Sequence, residues 1–270
     1  MSGPLGGFDP KQTYDAASTD YDDAGRDYWA YLALRVDRLG LVSGERVVDV
    51  PCGTGFGLVA AAERVGPTGR VVGLDYAEQM LRVAERRVAA AGLENVELRS
   101  GDMTVIDRPE EPFDALVCAL GVFFVDDMRG LVQSFVELVR PERGRVAVSV
   151  FGEQFVEPMR SVFVDAVNAV VPGFDVLQPW CRTDRENVLR SLFDGIGVVE
   201  LTVSTETDRL ALRSADDWWR IVMGSGLRRT VTEIGEGAAA LVHRRCDDFI
   251  EGHGLTEVVS LSRYAVARRA

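Results

Sequence analysis

The chain has 270 residues, with 30 basic against 42 acidic side chains and a formal charge of −12. That balance opposes docking on nucleic acid or an anionic membrane, which would be repelled at long range. Isolated arginine pairs such as Arg86–Arg87 and Arg244–Arg245 do not offset it. The hydrophobic share of 47% and charged share of 27% are those of an ordinary globular protein. The length suits one domain, and no apolar run is long enough to span a bilayer. The opening stretch MSGPLGGFDPKQTYDAASTDYDDAG has no basic segment followed by an apolar one. No secretory signal is expected there, and the expected location is cytoplasmic.

Residues 1 to about 12 read as a flexible start, and the pattern turns helical from Tyr14 to Leu41, with Tyr28, Tyr31, Leu32, Leu34, Val36 and Leu39 at helical intervals. Strand and helix then alternate. RVVDV (46–50) is a strand, GLVAAAERV (57–65) a helix, RVVGLD (70–75) a strand, and AEQMLRVAERRVAAAG (77–92) a helix ended by glycine. VELRSGD (96–102), FDALVCAL (113–120) and RVAVSVF (145–151) are further strands, with a helix over 126–140. This rhythm predicts a mostly parallel sheet covered on both faces. After Phe151 it changes: a helix, a loop with two prolines, a short helix, the alternating strand VVELTVSTETDRLAL, a largely helical segment from Ser214 to Gly254, and a last strand over 258–269. One domain is expected, with a helical cap (1–44), a ligand-binding core (45–151), a substrate side with helical lid (152–257) and the last strand (258–270).

The four cysteines, Cys52, Cys118, Cys181 and Cys246, form no CxxC pair, and His243 and His253 are the only histidines. No metal site is expected. Cys118, in DALVCAL, reads as a small buried hydrophobe.

The chemistry concentrates around DVPCGTGFG (49–57), a glycine turn between a strand and a helix. In such sheets ligands bind at the carboxyl ends of the strands. Asp49, Asp75 and Asp102 end the first three strands and can face one crevice. A dinucleotide fits Gly53, Gly55 and Asp75 in part, but the third glycine of its fingerprint is replaced by Leu58. A carboxylate at Asp49 would also repel a pyrophosphate in a low-dielectric crevice. A cationic nucleoside without phosphate fits better. S-adenosylmethionine offers an ammonium to Asp49, a ribose diol to Asp75 and an adenine amine to Asp102, while glycines let the backbone approach closely.

With those residues in view, the sequence resembles the class I S-adenosylmethionine-dependent methyltransferases, the broad group that includes ubiquinone-type and many small-molecule enzymes. The segments that carry the resemblance are VVDVPCGTG, VVGLDYAEQML, LRSGDM, FDALVCALGVFFVDD and ELVRPERGRVAVSVF, in order between Tyr28 and Phe151. It implies a Rossmann-like, doubly wound α/β fold with a seven-stranded, mostly parallel sheet, the last strand antiparallel, and a helical lid insertion. It implies that Asp49, Gly53, Gly55, Asp75 and Asp102 bind the cofactor. Tyr76 and Met103 would flank the adenine, Met80 would lie on the same side, and Ala119 would lie near the methionine part. The departure is Pro51, which stands where the family pattern usually has glycine. Proline lacks an N–H and fixes φ, so the turn survives if that amide was not a donor to the ligand.

Methyl transfer is an in-line displacement that depends chiefly on alignment and exclusion of water. A base is needed only for a protonated nucleophile, and no catalytic residue is assigned. His243, Tyr14, Tyr21 and Tyr28 are the candidates weighed, and Asp126 and Asp127 read as a cap for the next helix. Phe123 and Phe124 after the fourth strand, with Tyr21, Tyr28 and Trp180, form the expected substrate pocket, and Trp218–Trp219 read at least partly as lid core. These aromatics suggest an apolar or aromatic small-molecule acceptor, and a homodimer is left open. Two other readings stand beside this one: a relative that keeps the cofactor without transferring methyl, and a nicotinamide-dependent oxidoreductase.

Overall fold

The computed structural model describes residues 9–33 and 38–270, with the backbone alone for residues 23–33. A first helix, α1 (Pro10–Ala33), precedes β1 (Arg46–Asp49), α2 (Phe56–Val65), β2 (Arg70–Asp75), α3 (Glu78–Ala90), β3 (Val96–Ser100), β4 (Ala115–Ala119), α4 (Met128–Leu138) and β5 (Arg145–Phe151). The second half adds α5 (Met159–Val170), α6 (Glu186–Ser191), β6 (Val198–Ala211), α7 (Ala215–Met223), α8 (Arg228–Ile234), α9 (Glu236–His253) and β7 (Glu257–Arg269). The expected helix from Tyr14 to Leu41 starts earlier, at Pro10, and its Leu34 and Val36 lie outside the described residues.

The seven strands run β3-β2-β1-β4-β5-β7-β6. β1 to β5 are parallel, and β7 lies antiparallel between β5 and β6. The segment read as substrate side and lid therefore also supplies β6, an edge strand of the sheet. Side chains alternate faces along a strand. On β1, Val47 enters one apolar cluster with Leu58, Ala61 and Val65 of α2, and Val48 enters the larger one with Phe135, Phe163 and Trp218. Burial on both faces explains why the central strands are apolar runs rather than alternating ones.

The switch in strand order lies between β1 and β4, and parallel register brings the carboxyl ends of the strands together. Asp49 pairs with Gly73 and Val117, Asp75 with Ser100, and Ala119 with Ser149. α1 closes over this end. Asp15 Oδ1 accepts from the Gln79 amide at the start of α3 at 2.8 Å, Asp22 pairs with Arg87 of α3, and Asp20 pairs with Arg228 of α8. The helical cap is thus tied both to the glycine turn's neighbourhood and to the helical insertion.

Candidate active site

A cavity of about 460 Å³ opens at the carboxyl ends of β1, β2, β3, β4 and β5. One half is polar, lined by Gly53, Asp75, Tyr76, Met80, Gly101, Asp102, Met103 and Ala119. The other is apolar, lined by Leu120, Phe123, Phe124, Phe151, Phe155 and Trp180. Tyr14 and Tyr21 of α1 and the Ser225–Gly226 turn between α7 and α8 complete the wall. A smaller space of about 90 Å³ shares Tyr21, Pro51, Gly53, Ala119 and Leu120 with it and holds Asp49.

The glycine turn is built against Asp75. The Gly53 amide donates to Asp75 Oδ2 at 2.9 Å and the Ala77 amide to Oδ1 at 2.9 Å. These bonds fix the carboxylate's plane while leaving each oxygen a lone pair. Burial raises the Asp75 carboxyl above its ordinary value, against the pull of the Ala77 and Gly53 amides. Gly53 has φ 52°, and a Cβ there would meet no protein atom within 4 Å, so its backbone faces open space. Gly55, expected to touch the cofactor, lines neither space. With φ 85° it lies against α3, where a Cβ would come 3.1 Å from that of Ala84. Its smallness serves the packing of the turn on that helix. Arg87 supports the same turn, donating from Nε to the Thr54 carbonyl at 2.8 Å and lying 3.5 Å over the Phe56 ring.

Pro51 lines both spaces, and the Val50–Pro51 peptide is cis. Its ring packs on Gly121, where a Cβ would fall 2.3 Å from Pro51 Cδ. The turn's remaining amides are kept: Cys52 donates to Leu74 O and Gly55 to Cys52 O, each at 3.0 Å. Leu120, directly after β4, has φ 55°, a conformation that is costly for a non-glycine residue and recurs at ligand sites.

Asp49 is 2% exposed and has no hydrogen-bond or ion-pair partner among the described residues. Burial, with Asp75's charge second, pushes its carboxyl up to about 8. A buried carboxylate without a partner is costly, and a ligand cation would relieve it. Asp102 is exposed at the rim, its Oδ1 accepting from the Thr104 amide and hydroxyl at 2.8 Å each. The donor set therefore fits S-adenosylmethionine: an unpartnered buried acid for an ammonium, an oriented acid for a diol, a rim acid for an amine, and an open glycine backbone between them. Among the described residues no lysine, arginine or histidine lines the larger cavity, so none of them offers a pyrophosphate a cation there.

Of the expected substrate-pocket residues, Tyr21, Phe123, Phe124 and Trp180 reach the cavity wall, while the Tyr28 side chain lies outside the described residues. Asp126 joins the wall, and Asp127 caps α4 by accepting from the Gly130 amide at 2.8 Å. Neither tryptophan of α7 reaches the wall: Trp218 is fully buried in the core and Trp219 stacks on His243 at 4.1 Å. His243 faces Asp247 at 3.5 Å, and His253 packs on Phe249. Both histidines are thus away from the cavity. Phe151 and Phe155 were not anticipated, although Phe151 could have been found as the last residue of β5. Asp9, Ser225 and Gly226 carry no local signal at all. Among the described residues no cluster of three or more metal-ligating side chains occurs, and no helix is long and apolar enough to cross a membrane.

Strand order, glycine turn and the acids at successive strand ends together place one candidate ligand site at the carboxyl ends of the parallel strands. Residues 47–142 match the family described as methyltransferase domain. The chain is 38% identical over 135 residues to a demethylmenaquinone methyltransferase of Geobacillus kaustophilus (strain HTA426), covering 48% of this chain and 58% of that protein. It is 34% identical over 137 residues to the aklanonic acid methyltransferase DauC of Streptomyces sp. (strain C5), covering 50% of this chain and 62% of that one. It thus spans less than two thirds of either relative. In fold it is similar to the phosphoethanolamine N-methyltransferase 2 of Haemonchus contortus in complex with S-adenosyl-L-methionine, with a TM-score of 0.59, 16% identity, and 95% of this chain and 57% of that one covered.

Proposed function

We propose that the chain methylates a small, neutral, apolar or aromatic molecule on oxygen, nitrogen or carbon. The single observation that carries this is the divided cavity: acids and an open glycine backbone on one side, six apolar side chains on the other. The two curated relatives named above, methyltransferases of demethylmenaquinone and of aklanonic acid, support an acceptor of this kind.

S-adenosylmethionine supplies a methyl group already activated by the positive sulfur. The chain's own residues bind, orient and exclude water. Asp75, held by the Gly53 and Ala77 amides, would take the ribose hydroxyls; Asp102 would take the adenine amine, beside Tyr76 and Met103; and Asp49 would face the ammonium. Met80 and Ala119 complete that half. Phe123, Phe124, Phe151, Phe155 and Trp180 would hold the acceptor against the methyl in a dry wall, where proximity can contribute roughly 7–11 kcal/mol. No histidine lines this cavity, and the Tyr14 hydroxyl is raised above its ordinary value by burial and by Asp75's charge. Neither supplies a base near neutral pH, so the acceptor either needs no deprotonation or loses its proton to solvent or to Asp126 at the rim. The charge of −12 favours such a small acceptor over nucleic acid, and the composition favours a cytoplasmic setting.

The test is incubation with methyl-labelled S-adenosylmethionine and a panel of phenols, hydroquinones, polycyclic aromatic ketones and aromatic amines. Label is expected in at least one acceptor. Cofactor binding with no labelled product across the panel would favour the relative that retains the cofactor without transferring methyl.

A further inference from the structure

The acceptor half of the cavity is almost wholly apolar, so the polar groups that do reach it are informative. Ser225 spends its hydroxyl at home, donating to the Val222 carbonyl and accepting from the Leu227 amide, each at 3.3 Å. Thr104 donates its hydroxyl to Asp102. Tyr76 lies on the cofactor side, among the carboxylates of Asp75, Asp9 and Asp102. Tyr14 differs from all of these. Its ring is fixed edge-on between Tyr21 and Phe124, with centroids 6.2 and 5.6 Å away. Its hydroxyl reaches the Ser225–Gly226 turn, where a Cβ on Gly226 would lie 3.7 Å from it. No hydrogen bond to that hydroxyl exists among the described residues, although the side chain lines the cavity where the polar half meets the apolar one.

We propose that the Tyr14 hydroxyl selects the acceptor, donating a hydrogen bond to a neutral carbonyl or hydroxyl oxygen carried on the acceptor's apolar ring system. This rests on the reading of the cavity as an acceptor site. An O–H left unpaired in an apolar wall is costly, so a site built around one discriminates against ligands lacking the matching oxygen. The oxygen is a neutral one because, among the described residues, Asp75, Asp102, Asp9 and Asp126 line the cavity and no basic side chain does. Burial and the charge of Asp75 keep the phenol protonated across the physiological range, so Tyr14 serves as a donor and not as a base.

Two probes of matched shape test this: 2-acetylnaphthalene, which carries a carbonyl oxygen, and 2-ethylnaphthalene, which does not. Each is titrated calorimetrically into wild type and Tyr14→Phe, both first saturated with S-adenosylhomocysteine. The wild type is expected to bind the ketone about 3- to 10-fold tighter than the hydrocarbon, and Tyr14→Phe is expected to bind the two alike. The variant keeps the ring contacts with Tyr21 and Phe124 and removes no bond within the protein. A wild type without preference, or a preference that survives in Tyr14→Phe, overturns the proposal. If S-adenosylhomocysteine binds and neither probe does, the acceptor reading of the cavity fails and Tyr14's role falls with it.

Discussion

Asp75→Ala is expected to lower the affinity for S-adenosylhomocysteine by roughly a hundredfold to ten-thousandfold, read by calorimetric titration. Asp75 would accept two hydroxyls of the ribose, and hydrogen bonds to a charged group are worth about 1.5–3 kcal/mol each. The substitution also frees the Gly53 and Ala77 amides, which Asp75 holds at 2.9 Å. The turn would then lose its fixed distance from β2 as well as its ligand acid. A variant that still binds within threefold of wild type would show that the diol is held elsewhere.

The second large effect concerns pH. Affinity for S-adenosylhomocysteine is expected to rise as pH climbs from 6 toward 8, by up to about tenfold per unit, and Asp49→Asn is expected to flatten that rise. In the free protein burial keeps the Asp49 carboxyl protonated up to about pH 8. An ammonium beside it favours the ionised form, so binding at lower pH must expel a proton. The same group sets a cost in stability. Its folded-state value lies above its unfolded one, so its contribution is fully present below the ordinary carboxylate range and is lost as pH rises toward about 8. Asp49→Asn should therefore unfold at a higher temperature than wild type at pH 7 while binding the cofactor less well. A flat pH profile in the wild type would remove Asp49 from the ammonium site.

Much of the polar side of the candidate site was legible in the sequence because it is written locally. Asp49, Asp75 and Asp102 each follow an apolar strand, and a strand's carboxyl end sits at the site in any sheet of this winding. Trp180, Phe123 and Phe124 were legible for the same reason or by their place in the insertion. Gly55 misled because a glycine in a turn looks the same whether a ligand or a helix crowds it, and only the packing of α3 reveals Ala84 beneath it. Tyr14 and Asp9 reach the cavity because α1 folds back over the strand ends through Asp15, Asp20 and Asp22. Such ties across long stretches of chain leave no mark in periodicity. Trp218 and Trp219, read as at least partly lid core, are so placed: Trp218 is buried in the core and the Trp219 ring is taken by His243 of α9.

The most direct measurement is a calorimetric titration of the wild-type protein with S-adenosylhomocysteine and, separately, with NADH. Micromolar binding of the first at one site per chain, with no heat from the second, is the result expected of two adjoining spaces that set Asp75 and Asp102 on one side and Asp49 on the other of an open glycine turn. Tight binding of NADH without binding of S-adenosylhomocysteine would contradict it, and the crevice would then belong to a dinucleotide.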